Sequence, residues 1–409
     1  MKPEKNAPVS LQDIQQARAR LGNAIALTPC PESIPLSEIT GAQIYCKMDC
    51  FQRTGSFKER GARNALLLLD EDSQRNGVIA ASAGNHALGL AYHGSLLNIP
   101  VTVVMPEAAP LIKITTCQKL GANVILHGDS FQPAREKADA LAKENGLSYI
   151  HGYDDPAVIA GQGTMALEIL EQVPDVEAIV CPIGGAGLIA GISVATKALK
   201  PEVKIIGVEA EATGSFQAAL KAKGPVFLAA KPTLADGLAV NIVGENAFAL
   251  AKDLIDQIVT VSEDELALAI LRNVELEKEV VEGAAASTLA AFFSGALSHL
   301  AGKKVVLLYC GGNIDPIILS RVIEKGLVAD GRMFRFTAVI SDRPGGLAGL
   351  AKAIASTGAS VKEITHDRAF SGPDVAAVNC LCTVETRDRA HMQELMDTLR
   401  KSGIAILGV

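Results

Sequence analysis

The sequence predicts an α/β protein of two lobes, followed by a smaller unit with a different order of strands and helices. Short β-branched runs alternate with helical patterns over about the first 320 residues, which is typical of parallel sheets covered by helices on both faces. A segment of about 320 residues is too long to fold around a single hydrophobic core, and we therefore expect two lobes with a cleft between them. The predicted strands begin at Gln43, Val78, Val101, Asn123, Ala178, Lys204 and Lys304.

The pattern changes after Ile323. The segment KGLVADGRMF is weakly periodic and contains glycine, so we predict a linker over residues 326–333. From residue 334 to 409 the order is strand, helix, strand, strand, helix, strand, which is the ferredoxin-like plan. The sequence thus predicts a first domain over 1–325, with a small lobe at about 51–150 inserted in a large lobe, and a second domain over 334–409.

Composition and charge exclude several classes of function. No apolar run has the roughly 20 residues of a membrane-spanning helix. The charged start MKPEKNAPVS lacks the apolar core of an export signal, so we expect a cytoplasmic protein. A net charge of −7, with no cationic cluster beyond the ERGAR run, argues against nucleic-acid binding. The 8 cysteines are scattered without a CxxC pair, which argues against structural zinc and a disulfide framework.

Lys58 lies in the run TGSFKERG, at the start of a predicted helix. The helix dipole at this position favours the neutral amine over the ammonium ion. A neutral lysine amine forms imines with aldehydes. The alternative interpretation is a solvated lysine at a helix start.

The run Ser82-Ala83-Gly84-Asn85-His86 closes a predicted strand and opens a helix. Small residues at the carboxyl end of a strand let backbone N–H groups approach an anion such as a substrate carboxylate. Asn85 adds a side-chain donor. The alternative is an ordinary helix N-cap beside a histidine with satisfied hydrogen bonds.

A glycine-rich loop, Gly184-Gly185-Ala186-Gly187-Leu188, separates a later strand from its helix. Such a loop offers backbone amides and a helix N-terminus to a phosphate group. Residues 185–190 also match the dinucleotide fingerprint G-x-G-x-x-G/A, and Glu209 lies where the ribose-binding acid is expected. A single phosphate and a dinucleotide pyrophosphate both fit this loop.

Cys310 opens the run CGGN at the end of the strand that begins at Lys304. The carboxyl end of this strand should face the same cleft. The thiol is either a weak hydrogen-bond partner for a ring nitrogen or a small buried apolar group.

Together, the runs SFKERGA, SAGNHALG, GGAGL and CGGN resemble, in order and spacing, the fold type II pyridoxal-phosphate enzymes of the serine/threonine dehydratase family. The resemblance covers roughly residues 10–325 and implies the two-lobed α/β architecture called tryptophan synthase β-like. The tail from Phe334 is similar to an ACT regulatory domain, with DRPGGL as its first turn between strand and helix. One such core and one such tail resemble the medium-length threonine ammonia-lyases.

The resemblance implies pyridoxal 5'-phosphate as cofactor and an α,β-elimination that converts L-threonine to 2-oxobutanoate and ammonia, or L-serine to pyruvate. It implies that Lys58 carries the cofactor covalently and removes the α-proton, that Phe57 packs beside the cofactor ring and that Asn85 binds the phenolic oxygen. Glu282, in VVEGAAA, matches an acidic position near the ring. The substrate carboxylate is assigned to Ser82, Ala83, Gly84, Asn85 and His86, and the phosphate group to Gly184, Gly185, Ala186, Gly187 and Leu188.

Three positions differ from the family pattern. Cys310 replaces the serine or threonine that usually contacts the ring nitrogen, and a thiol beside a neutral pyridine suits elimination more than racemisation. Ala186 replaces a glycine, which the loop permits if its φ is negative. Glu209 matches one ligand of the Mg²⁺ or Ca²⁺ site of some relatives, but Ser215 replaces the aspartate of that site, so we assign no metal.

For the tail, the resemblance implies an amino-acid effector that binds at Asp342, Arg343, Gly346 and Leu347. Turn amides would meet the effector carboxylate and Asp342 its ammonium group. Pairing of such units between subunits implies a homodimer or homotetramer. The alternatives are a serine dehydratase, a serine racemase or a 3-hydroxyaspartate dehydratase of the same fold, a non-catalytic amino-acid sensor, and a nicotinamide enzyme.

Overall fold

The computed structural model describes residues 8–368 and 376–407. The chain divides into two compact units, Met1–Asp315 and Pro316–Val409. Within the described residues, no helix combines the length and the apolar character needed to cross a bilayer. The elements of the first unit are, in order, α1 (Leu11–Leu21), β1 (Glu32–Ser33), α2 (Ile34–Thr40), β2 (Gln43–Lys47), α3 (Lys58–Leu67), α4 (Glu71–Asn76), β3 (Val78–Ala81), α5 (Asn85–Leu97), β4 (Val101–Met105), α6 (Leu111–Lys119), β5 (Asn123–Leu126), α7 (Phe131–Asn145), β6 (Ser148–Tyr149), α8 (Pro156–Gln172), β7 (Ala178–Pro182), α9 (Gly187–Leu199), β8 (Lys204–Ala210), α10 (Ser215–Ala222), α11 (Glu245–Ala251), β9 (Gln257–Val261), α12 (Glu263–Arg272), α13 (Gly283–Phe293) and β10 (Lys304–Leu308).

Two sheets form the first unit, as predicted. The larger sheet has the strand order β1-β2-β10-β7-β8-β9 and is parallel apart from β1, which pairs antiparallel with β2. The smaller sheet has the order β5-β4-β3-β6, is parallel throughout, and lies within the range expected for the small lobe. Every predicted strand of this unit is present. Three further strands, β1, β6 and β9, were not predicted; all three lie at sheet edges, where strands are short and carry weak patterns.

Close helix packing places the start of α3 beside α8, and α8 beside α9. A Cβ atom at Gly161 of α8 would lie 2.6 Å from the backbone oxygen of Arg60 in α3, and one at Gly191 of α9 would lie 2.7 Å from the nitrogen of Gly163 in α8. Only glycine fits at such distances, so the three helices pack with their backbones in contact. This packing fixes Lys58, the first residue of α3, relative to the glycine-rich loop before α9.

The second unit has the predicted βαββαβ order after one additional helix. The elements are α14 (Pro316–Ala329), β11 (Met333–Ser341), α15 (Gly346–Ser356), β12 (Ser360–Asp367), β13 (Ala377–Glu385), α16 (Arg389–Lys401) and β14 (Ala405–Leu407). The sheet is antiparallel, with the strand order β12-β13-β11-β14 of a ferredoxin-like fold, and the core of the unit contains the fully buried Leu350 and Leu395.

The linker predicted over 326–333 is wrong. Residues 326–329 belong to α14, β11 begins at Met333, and the units divide after Asp315 rather than after residue 325. Gly326 suggested a break in the sequence. In the structure Val322 and Gly326, four residues apart, form the buried side of α14, so this glycine lies inside a helix.

Candidate active site

One cleft of the first unit brings together the residues predicted to bind the cofactor and the substrate. It has a volume of about 270 Å³ and lies at the start of α3 and at the carboxyl ends of β3 and β7, as expected for parallel sheets. The predicted residues that line it are Phe57, Lys58, Ser82, Ala83, Gly84, Asn85, His86, Gly184, Gly185, Ala186, Gly187, Leu188, Glu282 and Cys310.

The amine of Lys58 is a partly buried group of this cleft. Its Nζ donates a hydrogen bond to the backbone oxygen of Gly152 at 2.5 Å and lies 5.2 Å from the centre of the Phe57 ring. Desolvation lowers the pKa of Lys58 to about 8, although the charge of Glu282 opposes the shift. The neutral fraction of this amine therefore exceeds that of a surface lysine. The direction agrees with the sequence argument, but burial rather than the helix dipole is the main cause.

Two helix N-termini line the same cleft. α5 begins at Asn85 after Gly84, and α9 begins at Gly187 after Ala186. The first backbone amides of a helix have no partner within that helix, and the dipole adds positive potential there. The two helix starts therefore suit two anionic groups, such as a carboxylate and a phosphate.

Tyr153 packs directly against the glycine-rich loop. A Cβ atom at Gly185 would lie 2.2 Å from Cγ of the Tyr153 ring, and one at Gly187 would lie 2.3 Å from the Tyr153 backbone oxygen. The hydroxyl of Tyr153 donates to the backbone oxygen of Ile242 at 3.0 Å. Glycine is thus required at both loop positions by the close approach of this segment.

Ala186 adopts the left-handed conformation, with φ of 72° and ψ of −2°. The expectation of a negative φ is therefore wrong. This conformation is unfavourable by roughly 1–2 kcal/mol for an L-residue with a side chain, whereas glycine adopts it freely. The strain lies at the residue that turns the chain from β7 into α9.

His86 is buried and neutral. Its Nε2 lies 3.0 Å from the backbone oxygen of Ile150, so Nε2 carries the proton and donates it, while Nδ1 has no hydrogen-bond partner among the described residues. Desolvation, reinforced by the charge of Lys58, lowers the pKa of His86 to about 3. The imidazole joins the start of α5 to the end of β6 without adding charge to the cleft.

Asn85 and Glu282 form a direct pair across the cleft. Nδ2 of Asn85 lies 2.9 Å and 3.0 Å from the two carboxylate oxygens of Glu282, which precedes α13. Desolvation raises the pKa of Glu282 to about 7, although the hydrogen bond from Asn85 favours its ionised form. Near neutral pH this carboxyl group therefore exists in both protonation states.

Glu209 lies outside the cleft and caps a helix. Its carboxylate accepts the backbone N–H groups of Phe216 and Gln217, at 2.7 Å and 3.0 Å, in the first turn of α10. These bonds use both oxygens, which leaves no support for the ribose-binding role considered for this residue. In residues 8–368 and 376–407, no group of three His, Cys, Asp or Glu side chains has a metal-binding arrangement.

The segment from His151 to Asp154 is part of the site that sequence reasoning missed. It supplies the Gly152 oxygen to Lys58 and the Tyr153 ring to the glycine-rich loop, and the Asp154 carboxylate accepts the backbone N–H groups of Glu245 and Ala247 in α11. The run HGYDDP before α8 is the one local signal, because Asp155 and Pro156 mark a helix start.

The second unit has a cavity of about 530 Å³ between β11 and α15, and of the predicted effector residues Gly346 lines it, whereas Asp342, Arg343 and Leu347 do not. Gly346 lines this cavity together with Ser341 and Lys352. Asp342 instead pairs with Arg368, whose Nε lies 3.0 Å from each carboxylate oxygen, and its backbone N–H donates to Ala376. The expectation that Asp342 is free to bind an ammonium group is therefore wrong.

The cleft fits pyridoxal phosphate. Lys58 offers an amine to the aldehyde, and α9, which begins at Gly187 within the loop from Gly184 to Leu188, offers its N-terminal amides to the phosphate group. Burial raises the pKa of the Cys310 thiol well above its ordinary value, so this group stays neutral and presents no charge to a ring nitrogen.

Comparison with known proteins agrees with this fit. Residues 21–311 match the family described as pyridoxal-phosphate dependent enzyme. An L-threonine ammonia-lyase of Thermotoga maritima is 44% identical over 398 residues, which are 97% of this chain and 99% of that protein. The processed form of threonine deaminase isoform 2 from Solanum lycopersicum has a TM-score of 0.73 at 37% identity, over 77% of this chain and 86% of that chain. Maize serine racemase has a TM-score of 0.74 at 31% identity, over 78% of this chain and 98% of that chain. The chain therefore belongs to the family of pyridoxal-phosphate dependent enzymes.

Proposed function

We propose that this protein is a threonine ammonia-lyase, which converts L-threonine to 2-oxobutanoate and ammonia and also acts on L-serine. The observation that carries the proposal is the convergence of Lys58 and the N-termini of α5 and α9 on one cleft. The substrate is supported by the T. maritima relative, which is similar over almost the whole chain.

Lys58 is the residue that moves the proton. Pyridoxal phosphate, when bound, supplies the electron sink that makes the α-hydrogen of an amino acid acidic. Nζ of Lys58 takes this proton, and its pKa of about 8 lies close to the pH range in which a general base is most effective. The hydrogen bond to the Gly152 oxygen holds the amine in place within the cleft.

The other residues of the cleft orient the substrate and the cofactor. The segment Ser82–His86 would bind the substrate carboxylate at the start of α5, although the N–H of Ser82 itself donates to the backbone oxygen of Val104. The amides of Gly184–Leu188 would bind the phosphate group. With both anions held at helix starts, the α-hydrogen is presented to Lys58 in one orientation, which lowers the barrier by proximity. Phe57 would pack beside the cofactor ring, and Asn85 would donate a hydrogen bond to its phenolic oxygen.

Cys310 favours elimination over racemisation. Its buried neutral thiol offers a weak hydrogen bond to the ring nitrogen, without the negative charge that would hold a proton there. Cys310 would thereby leave the ring nitrogen neutral, which would favour loss of the β-hydroxyl over return of the proton to the α-carbon.

A second candidate substrate is 3-hydroxyaspartate, because a cation lines the cleft. Nε of Arg135 donates to Asp139 at 2.9 Å and 3.0 Å, and its guanidinium lies 4.1 Å from the centre of the Tyr149 ring. Arg135 and Tyr149 both line the cleft. A guanidinium held in this way suits a second carboxylate on the substrate.

The second unit is proposed to be an ACT regulatory domain that binds an amino-acid effector and pairs between subunits of a homodimer or homotetramer. Its βαββαβ order and its cavity beside Gly346 support this role. α15 begins at Gly346 beside that cavity, and the positive potential of its N-terminus suits an effector carboxylate.

The test is a substrate panel with the purified, cofactor-loaded protein. We expect 2-oxobutanoate from L-threonine and pyruvate from L-serine, and the panel includes 3-hydroxyaspartate and a measurement of D-serine. Faster turnover of 3-hydroxyaspartate would favour the second candidate, and dominant formation of D-serine would identify a racemase. A cofactor-loaded protein that forms no 2-oxo acid from any of these substrates would refute the proposal.

A further inference from the structure

A chain of hydrogen bonds connects four separate segments beside the cleft. Nδ2 of Asn313, in the CGGN run after β10, donates to the backbone oxygen of Thr54 at 2.7 Å and to Oδ1 of Asn85 at 2.9 Å. Nδ2 of Asn85 in turn donates to both carboxylate oxygens of Glu282. The proposed mechanism assigns no role to Asn313.

The Thr54 carbonyl sets the direction of the whole chain. A backbone oxygen only accepts hydrogen bonds, so Asn313 must turn its NH₂ group toward Thr54. The same NH₂ group faces Asn85, which must therefore present its oxygen to Asn313 and its own NH₂ group to Glu282. If the Asn85 amide were reversed, its NH₂ group would face the NH₂ group of Asn313, and its oxygen would face the carboxylate of Glu282. Both contacts would lose their hydrogen bonds, and a buried polar group without a partner is unfavourable.

The backbone around Asn313 is shaped to hold this side chain. Gly55 has φ of 76°, and a Cβ atom there would lie 2.5 Å from Oδ1 of Asn313. Two hydrogen bonds of 2.9 Å, from the Phe57 nitrogen to the Cys310 oxygen and from the Gly312 nitrogen to the Gly55 oxygen, join the loop of Lys58 to the loop of Asn313. Asn313 is therefore fixed to the segment that carries the catalytic lysine.

We infer that Asn313 is a positioning residue that sets the orientation of the Asn85 amide. In this orientation one N–H of Asn85 is shared by the Glu282 oxygens, and the other is available to the phenolic oxygen of the cofactor. Asn313 thereby couples the Lys58 loop to the group that binds the cofactor ring. This inference rests on the proposed function only for its kinetic readout, because the spectrum of the bound cofactor tests it separately.

The experiment is a double-mutant cycle on the full chain. The variants are Asn313→Ala, Asn85→Ala and the double variant, with Asn145→Ala as the control, an asparagine that bonds only within α7. The visible absorbance spectrum of the bound cofactor, its dissociation constant and the kcat for L-threonine are measured for each. Thermal melting identifies any variant that fails to fold, and Asn313→Asp, which lacks the NH₂ group but keeps the shape, then replaces Asn313→Ala.

We expect Asn313→Ala to shift the absorbance of the bound cofactor and to lower kcat by on the order of ten-fold, as for the loss of a buried hydrogen bond. In the Asn85→Ala background the same change should have almost no further effect, because Asn313 acts through Asn85. Equal effects in the two backgrounds, or an unshifted spectrum in Asn313→Ala, would overturn the inference. If the wild type binds the cofactor but does not deaminate threonine, the proposed function fails, and the spectra and dissociation constants still decide the role of Asn313.

Discussion

Arg60 donates two parallel hydrogen bonds to the carboxylate of Asp49, from Nε at 2.7 Å and from Nη2 at 2.9 Å, and both side chains are buried. The same guanidinium contacts Glu168 at 2.6 Å and 2.8 Å, and Nζ of Lys47 lies 2.6 Å from Glu168. Two cations and two anions thus form a buried cluster whose charges balance, two residues along α3 from Lys58.

Replacement of Arg60 by methionine should strongly destabilise the protein. The change leaves Asp49 and Glu168 buried with too little positive charge, and loss of one partner of a buried ion pair costs about 3–5 kcal/mol. The control is Arg18→Met, whose exposed pair with Glu171 is worth at most about 1 kcal/mol. Urea unfolding followed by circular dichroism measures both changes. Equal midpoints for the two variants would contradict the importance of the cluster.

The buried cluster also shows where sequence reasoning ends. The lysine and glycine runs of the active site were recognisable, because helix starts and strand ends depend on neighbours along the chain. Arg60 was placed in the ERGAR run as an ordinary cationic cluster, yet its partners lie 11 and 108 residues away. No feature of the sequence around Arg60 indicates such distant partners. Tyr153 was missed as part of the site for the same reason, and Asn313, although it belongs to the CGGN run, was assigned no role, since only packing shows its partners.

Lys58→Ala should abolish both covalent attachment of pyridoxal phosphate and turnover. No other amine is proposed to take its place, and loss of a nucleophile that also acts as a general base should reduce kcat by about 10³-fold or more. The measurements are retention of visible absorbance after dialysis and formation of 2-oxobutanoate. The control is Lys252→Ala at the exposed end of α11, which should behave as the wild type. Wild-type turnover by Lys58→Ala would refute the mechanism.

Capture of the cofactor by the apoprotein should depend on pH through Lys58. The neutral amine reacts with the aldehyde, so the rate should rise with pH and level off above about 8, the pKa of this group. The charge of Glu282 raises that pKa, and Glu282→Gln should therefore move the midpoint of the profile to lower pH. Stopped-flow absorbance after mixing the apoprotein with pyridoxal phosphate gives the profile. A rate that falls with rising pH in this range would contradict the role of the neutral amine.

Ala186→Gly should stabilise the protein or leave its stability unchanged. Glycine removes the strain of the left-handed conformation, about 1–2 kcal/mol, and this gain exceeds or offsets the added freedom of the unfolded chain, roughly 0.4–1 kcal/mol. The same replacement at Ala218, inside α10, should instead destabilise by about 1 kcal/mol. Denaturant unfolding of the two variants shows whether each replacement raises or lowers the free energy of unfolding. A clear loss of stability in Ala186→Gly would show that the loop does not strain this residue.

Gly346→Ala should remove the response to an amino-acid effector and leave basal turnover unchanged. A Cβ atom at Gly346 would lie 2.0 Å from the backbone oxygen of Ser341, so alanine must displace the turn between β11 and α15 that lines the proposed effector cavity. Gly349→Ala is the matched control, because a Cβ atom there meets nothing within 4 Å, in the same helix and beside the same cavity. Threonine deamination is measured with and without L-isoleucine, L-valine and L-leucine. We expect the wild type and Gly349→Ala to respond alike and Gly346→Ala to respond at least several-fold more weakly, since a displaced turn no longer aligns its amides with the effector carboxylate. A full response in Gly346→Ala would exclude this cavity as the effector site, and a wild type that responds to none of the three amino acids would exclude regulation by them.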